Sequence, residues 1–159
     1  MPALDNPFQV LTFIAAPAVL TNASSIMALG TSNRFARVID RGRTLAKALH
    51  TAQGDSRAAY LRMLGRNDRR GDLLVRGLRA FYFSLGCFAG ASLVSLLGAS
   101  LSAIEIHYVS QISLLIALLV GTCGVAGLIT GCSHLVRETA LAQANLREES
   151  DLIRREPVV

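Results

Sequence analysis

Charge is missing from three long stretches of this chain, and that pattern predicts its elements. No Asp, Glu, Lys or Arg stands between Asp5 and Arg34, between Arg79 and Glu105, or between Glu105 and Arg137. The hydrocarbon core of a bilayer is about 30 Å thick and takes about 20 apolar helical residues to cross. Each run exceeds that, and none offers the polar outer face that a buried soluble bundle would present to water. The pattern predicts an all-α integral membrane protein with three transmembrane helices, over residues 7–33, 80–104 and 108–136. A cytoplasmic helical loop over 34–79 and a cytoplasmic tail over 137–159 complete a single membrane domain.

Finer punctuation refines these elements. Asn6-Pro7 reads as a helix start, with Asn6 the cap and Pro7 in the first turn, where its missing N–H costs nothing. The first run lacks the basic leader of a cleaved signal peptide, so it is expected to stay in the mature protein. Phe35, Val38, Gly42, Leu45 and Leu49 recur at spacings of three and four, so the first helix is expected to continue into the cytoplasm as half of a helix pair. Gly54 is a natural terminator. A second helix is expected from Asp55 or Ser56, burying Tyr60, Leu61 and Leu64 and breaking around Gly65 to Gly71. Asp72 then caps the stretch that leads into the membrane. Leu141, Ala144 and Leu152 mark a weakly amphipathic tail helix reaching about Arg155.

Composition agrees with the pattern. Of 159 residues, 52% are hydrophobic and only 17% charged, against about a quarter charged in soluble domains. Three cysteines cannot pair evenly, which excludes a disulfide scaffold. Residues 34–79 hold twelve Lys and Arg against four Asp, so most of the net charge of +5 belongs to this loop. The positive-inside rule places it in the cytoplasm, with the amino terminus and the Glu105 turn outside and the carboxyl terminus inside. Such a loop is attracted to anionic lipid, and the lack of interleaved aromatics argues against nucleic acid. The tail carries four Arg and five acidic residues and can pair with the loop, within or between subunits.

Inside a membrane, packing depends on small residues that let helices approach. Gly86 and Gly90 on the second span, and Gly121, Gly124, Gly127 and Gly131 on the third, predict a tight antiparallel hairpin. The first span differs, because Thr21, Asn22, Ser25, Ser32 and Asn33 share a face. That face either packs on the hairpin, its hydroxyls bonding to backbone carbonyls, or lines a water-filled pore in a ring of subunits. In the pore reading Asp5, with Glu105 and His107 on the outer turn, forms the outer mouth, and Arg34, Arg37 and Arg41 an inner basic ring. Glu105 and His107 also fit a simple solvated turn.

Cys87, Cys132 and His134 match no standard metal-ligand spacing, so no metal or cofactor is expected. Whether Cys87, Cys123 or Cys132 is modified is not legible. No phosphate-binding loop, nucleophile elbow or metalloprotease motif occurs, no carboxylate pair lies within a span, and no enzyme activity is expected.

Several blocks are nonetheless distinctive. Asn6-Pro7-Phe8, Pro17-Ala18-Val19-Leu20, Thr31-Ser32-Asn33-Arg34 and Arg37-Val38-Ile39-Asp40-Arg41 resemble the bacterial family known as domain of unknown function 2721. The resemblance implies a small protein of the bacterial inner membrane, with an amino-terminal span, a basic loop and a hairpin, and it implies no activity or site residues. The functional expectation is a homo-oligomeric, pore-like or channel assembly. Its alternative is a non-conducting accessory or scaffold subunit of a larger membrane complex.

Overall fold

The computed structural model describes residues 7–102 and 107–155. Among them, three long helices account for all but Ala52 and Gln53: α1 (Pro7–Thr51), α2 (Gly54–Ser102) and α3 (His107–Arg155). The expected cap Asn6 lies outside the described residues. After α1 the Ala52 amide closes a last turn on the Ala48 carbonyl at 3.1 Å. Gly54 then takes φ +58°, the left-handed conformation in which a Cβ would clash.

Segment 34–79 is therefore helical apart from Ala52 and Gln53. The break expected around Gly65 to Gly71 is absent, since α2 runs through both glycines. A glycine inside a helix costs about 1 kcal/mol relative to alanine, and the buried residues on either side outweigh that. The inward residues also differ from expectation: Ala59 and Met63 are buried, whereas Leu61 is half exposed and Tyr60 and Leu64 are only partly covered. On α1, Val38 and Leu45 of the expected seam are buried.

Buried positions follow one rule on all three helices. On α1 they fall at Ser24, Thr31, Val38 and Leu45, and on α3 at Ala117, Gly124, Gly131, Glu138 and Asn145. On α2, Met63, Asn67, Leu74, Phe81, Ser84, Phe88, Ala91 and Gly98 recur at spacings of three, four and seven. A repeat of seven keeps one face of a helix turned to its neighbours, as in coiled coils.

The helices contribute to two compact units, one from Met1–Leu29 and Arg79–Thr130, the other from Gly30–Leu78 and Gly131–Val159. The first packs Phe81 and Phe88 among small residues and is apolar outside. Ser24, Ala28, Ser84, Ala91 and Ala117 are buried, while Val19, Leu93, Leu118 and Ile129 are exposed. The second has an ordinary apolar centre of Val38, Leu45, Ala59, Met63 and Leu74, interrupted by Asn67, Glu138 and Asn145.

Among the described residues, α2 and α3 are long and apolar enough to cross a membrane. The best 18-residue stretches of α2 and α3 have mean hydropathy 1.7 and 2.5, and only 22% and 11% of them is buried.

Candidate functional site

In the first unit, the polar residues of α1 divide between two faces. Ser24 and Ala28 point into the packing, with Ser24 fully buried. Thr21 is half-buried, and Asn22 and Ser25 are exposed. The Thr21 hydroxyl donates to the Pro17 carbonyl at 2.8 Å and the Ser25 hydroxyl to the Thr21 carbonyl at 3.0 Å. These hydroxyls are thus satisfied within their own helix, as short polar side chains are in apolar surroundings. The first bond also uses a carbonyl next to the place where Pro17 breaks the hydrogen-bond ladder. Asn22 has no partner among the described residues. The expected polar face therefore lies beside the packed face rather than on it. In the second unit, Ser32 is half-buried and Asn33 exposed.

The contact between α2 and α3 in the first unit is built on glycine. A Cβ added at Gly124 would lie 2.7 Å from the Phe88 ring, and one at Gly127 would lie 2.6 Å from Ser84 Oγ. Gly121 lies against Ala91, and Gly90 against Val120. As α3 advances from Gly121 to Gly127, its partners step back along α2 from Ala91 to Ser84, the register of an antiparallel pair. Serine on α2 fits this close approach, with Ser84 donating to the Ala80 carbonyl at 2.9 Å. Gly86 stands apart, exposed, with nothing within 4 Å of an added Cβ. In the second unit, a Cβ at Gly77 would lie 3.5 Å from the Gly131 carbonyl oxygen and 2.9 Å from Leu135.

The second unit carries the electrostatics. Glu138 on α3 has a side chain only 3% exposed and accepts from Arg70 Nε at 2.8 Å and Arg70 Nη2 at 2.7 Å. Its other oxygen lies 3.5 Å from Arg34 on α1. One carboxylate thus ties α3 to both other helices. Glu148 pairs with Arg62 at 3.0 Å and with Arg66, and Glu149 with Arg41 at 2.5 Å. In the same unit the Asn67 amide donates to the Val38 carbonyl at 2.9 Å, and Gly42 leaves the room it needs.

These pairings change the meaning of the expected basic ring. Arg34 and Arg41 are held by α3 carboxylates, and only Arg37 of the three has no carboxylate partner among the described residues. The acidic tail pairs with the basic loop inside one chain. Of the expected outer mouth, Asp5 and Glu105 lie outside the described residues, as does the His107 side chain. Cys87, Cys123 and Cys132 are free thiols, and no three His, Cys, Asp or Glu side chains gather to hold a metal ion among the described residues.

Sequence reading missed the buried polar positions Ser24, Thr31, Asn67, Glu138 and Asn145. The signal was present as the sevenfold series Ala117, Gly124, Gly131, Glu138, Asn145 on α3. No curated protein and no solved structure matches this chain. A match over residues 14–148, reaching into all three helices, shows that the chain belongs to the family described as protein of unknown function (DUF2721).

Proposed function

We propose that this is a three-span integral membrane protein whose copies assemble into a ring, with the Thr21, Asn22 and Ser25 face of α1 lining a pore-like path. The observation that carries this is Asn22. It lies in a charge-free helical run, turned away from the packing of its own chain, with no partner among the described residues. Lipid would leave its amide unsatisfied at a cost of about 2–7 kcal/mol, so water or another polar surface must cover it. A ring of copies supplies both. Ser32 and Asn33, further along α1, extend the polar face toward the basic segment.

The membrane reading rests on the first unit's apolar exterior. Val19, Leu118 and Ile129 are each more than 60% exposed, a surface that lipid solvates and water does not. The first part of α1 belongs to the same compact unit as the apolar stretches of α2 and α3, which supports it as the third span. Glu138 pairs with Arg34 and Arg70, so loop and tail share one side of the membrane. The basic loop makes that side the cytoplasm, which leaves the amino terminus outside and the carboxyl terminus inside.

Native mass spectrometry of the assembly extracted from its own membrane tests the ring, with four or more identical subunits expected. One or two copies bound to a different protein would replace the pore with an accessory role. In a conducting assembly, Asn22→Leu and Ser25→Leu lower ion flux with subunit number unchanged. Unchanged flux in both removes this face from the path.

A further inference from the structure

The second unit carries a half-open pocket of about 490 Å³ whose walls have a chemistry of their own. Arg34, Arg37 and Arg41 line it from α1, Glu138, Asn145 and Glu149 from α3, and α2 adds Arg70. Four guanidinium groups face two carboxylates, and both carboxylates are already engaged. Glu138 is held by Arg34 and Arg70, and Glu149 by Arg41. Arg37 remains without a counter-ion among the described residues. Arg34 gives one terminal nitrogen to Glu138 and Arg41 gives one to Glu149, out of five N–H donors on each guanidinium. The cavity therefore has a net positive wall with unused donors in the fork geometry that suits a phosphate.

We infer that the pocket binds a phosphate ester, with the phosphate on Arg37 and the spare N–H groups of Arg34 and Arg41. The volume accommodates more than inorganic phosphate alone. A phosphoglycerol lipid headgroup and soluble glycerol phosphate both carry this chemistry.

The test uses the full chain in neutral detergent, titrated by native mass spectrometry with glycerol 3-phosphate, short-chain phosphatidylglycerol and, as a control without net negative charge, phosphatidylcholine. One equivalent per chain of an anionic phosphate ligand is expected, with little phosphatidylcholine bound. Arg37→Glu changes an exposed side chain and weakens binding at least about tenfold, the effect of losing a charge-assisted contact. Lys47→Glu, the same charge change on an exposed α1 residue outside the cavity, leaves binding unchanged. Binding of phosphatidylglycerol alone assigns the lipid headgroup, and equal binding of glycerol 3-phosphate assigns a soluble ligand. No binding of either, or equal losses in Arg37→Glu and Lys47→Glu, overturns the inference. The cavity lies wholly within the second unit, so loss of the pore reading would leave this result standing, and the reverse holds too.

Discussion

Glu138 shows how much one side chain contributes when it is buried between opposite charges. Its carboxylate has left water, and Arg70 and Arg34 supply the compensation. Glu138→Ala leaves the largely buried Arg70 without its partner and is expected to destabilise the protein by about 3–5 kcal/mol, the usual cost of breaking a buried pair. Asp40→Ala removes an ion pair with Arg43 in which both side chains are over 70% exposed, and changes stability by about 0.5 kcal/mol or less. Thermal melting of both variants in detergent, followed by circular dichroism, checks the contrast, and equal shifts would contradict it. The glycines divide in the same way. Gly124→Ala drives a methyl into the Phe88 ring and should cost about 1–3 kcal/mol. Gly86→Ala meets nothing within 4 Å and gains the helix preference of alanine, up to about 1 kcal/mol.

At the scale of the element, α2 tests whether a helix can run through Gly65 and Gly71. Gly65 lies in open space, so Gly65→Ala is expected to stabilise the protein by about 0.5–1 kcal/mol. Gly54→Ala should do the opposite, by about 1–2 kcal/mol, because φ +58° is strained for any residue with a Cβ. Denaturant melts of the pair decide the matter; a stabilising Gly54→Ala would mean that the turn is not left-handed in solution. Sequence pattern found the α1 seam at Val38 and Leu45 but expected a break in α2. Two glycines favour a break locally, but the continuous series of buried positions around them holds the helix together. Tyr60, Leu61 and Leu64 are large and apolar, yet the inward face of α2 is set by Ala59, Met63 and Asn67.

For the whole molecule, the ion pairs between loop and tail set a topological test. Single cysteines at exposed Gln53 and Ser150, in a chain with its own three cysteines replaced, should both react with a membrane-impermeant maleimide from the same side. Labelling from opposite sides would remove the hairpin arrangement of α2 and α3. The same pairing predicts that raised salt loosens the loop and tail only slightly around Glu138, since buried pairs are poorly screened.

The sequence alone determined the all-helical class, the places where charge is absent and the glycine-rich stretches of α2 and α3. Each follows from composition and spacing along a single helix, which no distant contact can change. Only the tertiary structure decided which polar residues are buried. Ser24 and Ser25 are neighbours of one residue type, yet the first is fully buried and the second exposed, because a helix turns about 100° per residue and the packing selects one side. It also decided that Arg34 and Arg41 engage the carboxylates of α3, a choice made by residues about a hundred positions away that no local pattern specifies.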